Sequence, residues 1–310
     1  MAVPAVTVVT PLYNNATWIE ACLQSLARQT LEAFEVVVDD GSADDGPERV
    51  AAFARRADAP PVRLIRHGEN AGPGVARNTG VAAARAPLVA FLDADDVAVP
   101  ERLAYQAGVM AEEPDRLVTG GWFDVVDAGD RVRARQQPDL NASELAWVGL
   151  FQAPFLLSTA MVRTTHPAFP WPLFPAVWHG EEEEAMRRLV HVAPGRMLPR
   201  VLALYRKAGE SSHEIRARAH PRPDAVDLFA DAVRPYTGPL DRATATRVRA
   251  CFFGLPEPGD PDAEAVVAAF TALFRAFREA PPPAVDPGAL DRYAAIHRDD
   301  WIAYRARAGL

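Results

Sequence analysis

Only two of the 310 residues are cysteine, Cys22 and Cys251, and their separation fits neither a redox pair nor a metal-ligand spacing. A disulfide framework is thereby excluded, and a reducing, cytoplasmic setting is expected. Positive charge is also scarce: a net charge of -8 and a pI near 5.4 leave no basic excess for a nucleic-acid partner. No apolar run is long enough to span a membrane. The longest, Leu145 to Val162, is broken by Gln152-Ala153-Pro154 and predicts a short helix, a turn and a buried strand. No basic segment precedes an apolar one at the start of the chain, so no signal peptide is expected. Two nucleotide fingerprints are missing as well. Gly72-Pro73-Gly74 lacks the G-x-G-x-x-G spacing, and the Walker A pattern does not occur, which removes dehydrogenase and P-loop readings.

What is present is a cluster of acids. Val89-Ala90-Phe91-Leu92 reads as a buried strand that ends in Asp93-Ala94-Asp95-Asp96, three carboxylates in four positions. Such groups repel one another, and a divalent cation or cationic substrate would neutralise them. In a parallel sheet the carboxyl ends of the strands face the ligand crevice. The alternative is a solvated acidic loop in which Asp96 or a neighbour caps the next helix before Pro100.

The first hundred residues repeat one pattern of β-branched run, turn and amphipathic segment. Strands are predicted at Val6 to Thr10, Phe34 to Val38, Val62 to Arg66 and Leu88 to Leu92. Helices are predicted from about Thr17 to Arg28, Asp44 to Arg56, and after Gly74 to Arg85. This alternation predicts an α/β fold with a mostly parallel sheet flanked by helices.

Four blocks, Val8 to Asn14, Val38-Asp39-Asp40-Gly41-Ser42, Asn70-Ala71-Gly72 with Ala76-Arg77-Asn78, and Phe91 to Asp96, together resemble the signature of the family 2 glycosyltransferases. His179-Gly180-Glu181-Glu182 with Met186-Arg187-Arg188-Leu189 is similar to that family's Gly-Glu-Asp block, and Leu204-Tyr205-Arg206 through Ser212 to its Tyr-Arg block. The resemblance covers about residues 5 to 212. It implies a GT-A, Rossmann-like fold and transfer of one sugar, with inversion, from a nucleoside diphosphate, UDP being the expected nucleotide. The nucleotide half would be 1-100, the acceptor half 101-215, and 216-310 a helical C-terminal region.

The resemblance also assigns roles. Pro11 and Tyr13 would line the base pocket, and Asp39 would accept a ring N–H. Asp40 and Ser42 would close the turn and cap the following helix. Asp93 would face the ribose, and Asp95, with Asp93, would hold Mg²⁺ or Mn²⁺ bridging the diphosphate. Arg77 would add charge near the diphosphate, or simply be a solvated side chain. The base position falls on Glu182, with Glu181 as fallback, where relatives carry aspartate. Four glutamates, Glu181 to Glu184, would equally suit a helix N-terminus without any catalytic role. A histidine that some relatives use for metal is replaced by Ala208, and His213 is the candidate substitute.

Phe123 to Val132 predicts a hairpin turning at Asp127-Ala128-Gly129-Asp130. The aromatic, proline-rich loop from Phe169 to Trp178 offers either an apolar platform for an acceptor or buried core aromatics. Beyond a linker at His220 to Pro223, helices are predicted at 224-233, 241-253, 262-278 and 287-307, with the apolar face of the third assigned to packing. They would cover the acceptor site or mediate a homodimer. The partners expected are a nucleotide-sugar donor and a soluble small-molecule, peptide or glycan acceptor. A nucleotidyltransferase and a non-catalytic sugar-nucleotide-binding scaffold are the two alternatives.

Overall fold

The computed structural model describes residues 5-31, 34-208, 224-254, 256 and 262-291. Four parallel strands form one side of the sheet: β1 (Val6–Leu12), β2 (Phe34–Asp39), β3 (Val62–Arg66) and β4 (Leu88–Phe91). Their helical crossovers are α1 (Ala16–Ala27), α2 (Gly46–Phe53) and α3 (Pro73–Ala83). The sheet continues through β5 (Val97–Ala98), α4 (Arg102–Glu112), the hairpin β6 (Val118–Val126) and β7 (Val132–Gln136), α5 (Ala142–Val148), a 3-10 turn at Leu157–Thr159, β8 (Met161–Arg163), α6 (Glu181–Val192) and β9 (Arg196–Arg206). The strand order is β3-β2-β1-β4-β8-β6-β9-β5, with β7 paired to β6. Strands β8 and β5 run antiparallel to their neighbours, so the sheet is mixed beyond β4.

Both faces of the central strands are covered, which is why β4 is apolar throughout and β1 is buried along nearly all its length. Leu88, Ala90 and Leu92 pack with Cys22, Leu26, Leu103 and Met110 of α1 and α4. Val89 and Phe91, pointing the other way, join Val81, Trp147 and Leu189 of α3, α5 and α6.

β1 extends two residues beyond the predicted Thr10 and includes Pro11. The reason is local. β4 ends at Phe91, opposite Val9, so on that side the N–H that Pro11 lacks has no ladder partner to lose. The hairpin, the short helix α5 and the buried strand β8 lie where the sequence predicts them.

Three further helices follow: α7 (Asp224–Thr237), α8 (Arg242–Ala250) and α9 (Ala263–Glu279). Phe270, Phe274 and Phe277 of α9 surround Trp147 with ring centroids 4.8 to 6.0 Å apart, in the tilted and edge-on arrangements aromatic pairs prefer. The apolar face of α9 is therefore used in packing within the chain. Residues 287-290 form a 3-10 turn, and the fourth predicted helix from 292 onward lies outside the described residues, as does the predicted linker, 220-223. Among the described residues no helix is long and apolar enough to cross a membrane.

Candidate active site

The strand order reverses between β1 and β4, and the carboxyl ends of β1, β2 and β4 converge at that switch point. Asp39 closes β2. It is buried, accepts the backbone N–H of Ser42 at 2.9 Å, and pairs with Arg66 at 3.3 Å. Pro11 is half-buried in β1, and Tyr13 just beyond it is 49 % exposed at the mouth of the crevice.

Asp40 does not cap a helix. Its carboxylate accepts the N–H groups of Ala71 and Gly72 at 2.9 and 2.8 Å and meets His67 at 3.0 Å, so it fixes the turn leading into α3. Gly72 has φ +88°, and the six-membered ring of Trp178 lies against it at the distance a Cβ would contact. Ser42 instead accepts the N–H of Asn14, and Asp44 accepts that of Ala16 at the start of α1.

The acid turn is held from several sides. Asp93 N–H donates to Ser158 Oγ at 3.0 Å, and its carbonyl accepts from Asp96 N–H at 3.0 Å. Asp96 is fully buried and is not a helix cap: α4 begins only at Arg102, and Asp96 Oδ1 takes the backbone N–H of Arg206 at 2.9 Å. The Arg206 side chain donates to the Asp95 carbonyl at 2.9 Å, pairs with Asp130 at 2.7 Å and stacks over Trp18. Beneath the turn lies a second buried arginine. Arg102 donates to the Phe91 and Ala160 carbonyls at 2.8 and 3.2 Å, and burial pulls it down to about 10 despite the nearby charge of Asp96.

Burial, and then the charge of Asp93, push the Asp95 carboxyl up to about 6, more than Arg206 and Arg77 offset. Burial, Asp95 and Asp93 also raise Asp96 well above the usual carboxylate range. The Tyr205 phenol is pushed up to about 12, first by burial and then by Asp96, Asp93, Asp95 and Glu182, which places all four carboxylates in one electrostatic basin. The turn is thus short of positive charge, and its donors are hard oxygens. That chemistry fits a divalent cation. Among the described residues no three ligating side chains converge, so Asp95 and Asp93 would supply only part of a coordination shell. His213 lies outside the described residues.

Glu181 and Glu182 open α6, and the structure brings both to Arg77 of α3. Arg77 is 3 % exposed, so it is no solvated side chain. Its Nη2 lies 2.8 Å from Asp93 Oδ1 and 2.8 Å from Glu182 Oε1, and its Nη1 lies 3.4 Å from Glu181. Burial works against its charge, but Glu182, Asp93 and Glu181 together outweigh this and raise it. The other two glutamates of the run have partners elsewhere. Glu183 pairs with Arg249 of α8 at 3.0 Å, and Glu184 with Arg187 and Arg188 at 2.6 and 2.7 Å. Gly180, at φ +83°, lets Leu228 and Ala225 of α7 close against the start of α6.

The aromatic loop is buried in part. Leu173 and Phe174 are buried, whereas Trp171 is 56 % exposed. Asn78 fixes this loop: its side-chain amide donates to the Phe174 carbonyl at 2.8 Å and accepts the Phe174 N–H at 3.1 Å. In the sequence Asn78 and Arg206 stand out only as members of the family-like blocks, and Ser158 carries no signal at all. Arg102 does leave a signal, since it repeats with Gln106 and Met110 on the face of α4 that also holds Leu103.

The family model described as "Glycosyl transferase family 2" matches residues 7–167. The chain belongs to that family. Among curated relatives, the putative glycosyltransferase EpsH of Bacillus subtilis is 35 % identical over 130 residues, 42 % of this chain and 37 % of that protein. The succinoglycan biosynthesis protein ExoO of Rhizobium meliloti is 47 % identical over 102 residues, 33 % of this chain and 28 % of its own. The matched segment thus spans well under half of each curated relative. In fold, the family member resembles S. aureus TarS 1-349 in complex with UDP-GlcNAc, with a TM-score of 0.60, 20 % identity, and 87 % and 81 % of the two chains covered. The α/β, GT-A architecture expected from the sequence is therefore the one found.

Proposed function

We propose that this chain moves a single sugar, with inversion, from a nucleoside diphosphate to an acceptor nucleophile, and that the preferred donor is a UDP-sugar. The observation that carries the reading is the placement of Asp93 and Glu182 against one guanidinium nitrogen, each 2.8 Å from it. A donor-side acid and an acceptor-side acid thereby share one site. The fold likeness to a protein solved with UDP-GlcNAc supports the choice of nucleotide.

In this reading Pro11 and Tyr13 flank the base, Asp39 accepts a ring N–H, and Asp93 faces the ribose. Asp95 and Asp93 would hold Mg²⁺ or Mn²⁺, with His213 as a further candidate. When bound, the cation would stabilise negative charge on the departing diphosphate. Glu182, 31 % exposed at the crevice, is the base that takes the acceptor's proton, and a single base facing the acceptor is what one-step inversion needs. The acceptor is a small molecule, a peptide or a glycan.

The test is a thermal-shift panel of UDP, GDP, TDP, CDP and NAD with and without Mn²⁺, since a ligand that binds only the folded state raises its melting temperature. The expected result is stabilisation by UDP that requires Mn²⁺ and is lost in Asp95→Asn. A flat response to every diphosphate removes the reading.

A further inference from the structure

We infer that Arg77 is a positioning residue: its guanidinium aims the Glu182 carboxylate toward the acceptor and, through Asp93, ties that aim to the donor side. The inference rests on the reading of Glu182 as the base. Asp93 ends β4 and Glu182 begins α6, and Arg77 Nη2 lies 2.8 Å from both. Glu181 steadies the neighbouring nitrogen at 3.4 Å. The central guanidinium carbon lies over the Phe174 ring, 5.6 Å from its centroid, and the backbone of Phe174 is held in turn by Asn78 on the same helix as Arg77. The group is therefore held at its nitrogens by carboxylates and backed by an aromatic ring.

Two consequences follow from this enclosure. At 3 % exposure the guanidinium sits behind the acids rather than in the crevice, which suits a group acting through Glu182 and Asp93 better than one grasping a diphosphate. Glu182 also carries one more torsion than aspartate would at the same position, so its carboxylate samples more directions unless a fixed partner selects one. A charge-assisted bond to an immobile guanidinium makes that selection. Because Nη2 is shared, donor contacts that draw on Asp93 leave Nη2 to Glu182, and the base is set most firmly when the donor is in place.

The test measures UDP release from a UDP-sugar with water as acceptor, together with UDP-induced thermal shifts, in Arg77→Lys, Glu182→Gln and the double variant. Arg77→Lys is expected to lower kcat by about 10- to 100-fold, within the range that a well-placed base contributes. Its UDP affinity is expected to stay within about threefold, and in the Glu182→Gln background it is expected to cost nothing further. A loss of UDP affinity in step with kcat would make Arg77 a diphosphate ligand and overturn the inference. Full additivity with Glu182→Gln would overturn it too. If Arg77→Lys does not fold, Glu181→Gln replaces it: a partial fall in kcat at unchanged UDP shift supports the inference, while no fall, or one as large as that of Glu182→Gln, refutes it. A wild-type chain that neither binds UDP nor releases it from a UDP-sugar takes the function reading down as well, whereas normal wild-type behaviour with an unaffected Arg77→Lys removes the positioning role alone.

Discussion

Asp96 Oδ1 accepts the backbone N–H of Arg206 across 110 residues, so the acid turn after β4 is fastened to the last strand of the sheet. The Arg206 side chain adds a bond to the Asp95 carbonyl from the same residue. One position of β9 thus fixes two consecutive acids.

Asp95 should make stability depend on pH. Its carboxyl is raised from 3.8 to about 6, chiefly by burial and then by Asp93, so the folded state binds that proton more tightly than the unfolded state does. Stability is then greatest below the unfolded value and falls as pH rises through about 6. In EDTA the melting temperature should fall between pH 4.5 and 6.5 by more in the wild type than in Asp95→Asn. Added Mn²⁺ should flatten the wild-type curve. Equal slopes for the two proteins in EDTA would contradict this.

Asp39→Ala should weaken UDP binding by about tenfold, the scale of one hydrogen bond to a charged group. Isothermal titration against UDP and CDP gives the check. An unchanged affinity for UDP would remove Asp39 from the base pocket.

Asn78→Ala should destabilise the chain by about 2–4 kcal/mol, because both the N–H and the carbonyl of Phe174 lose their partner in a part-buried setting. Urea unfolding measures this. A change below about 0.5 kcal/mol would mean that the 169–178 loop is held by its buried Leu173 and Phe174 alone.

Glu182→Gln and Glu183→Gln, one position apart, should behave oppositely. Glu182 faces Arg77 and the acids, and its loss should lower turnover by about 100-fold or more. Glu183 faces Arg249 in a partly exposed pair, so its loss should cost about 1 kcal/mol or less and leave turnover as it was. Similar kinetics for the two variants would sink the assignment of the base.

The strands of the first hundred residues were legible because both sheet faces are covered, which writes each strand as a short β-branched run. The acids were legible for a related reason: Asp39, Asp93 and Asp95 each stand at or just past the end of such a run. The partners of those acids were not. Arg77 reads from sequence either as charge near the diphosphate or as a solvated arginine on an alanine-rich helix, and only the approach of α6, 104 residues later, encloses it. Asp40, Asn78 and Arg206 act the same way, through bonds to backbone groups that no local spacing reveals. The C-terminal helices could be read from their caps and apolar spacing, Asp241 accepting the Thr244 N–H at the start of α8 being one instance. Their docking could not, since it depends on Trp147 meeting three phenylalanines more than 120 residues away.

That aromatic cluster bears on how the chain can be shortened. Trp147 and Phe151 belong to the first half of the molecule, yet Phe229, Phe252, Phe270, Phe274 and Phe277 provide much of what shields them from water. A fragment ending after β9 would present two large rings and their apolar neighbours as a sticky surface. Anyone trimming this protein back to the end of β9 would have to redesign that face with polar residues before the fragment could be purified.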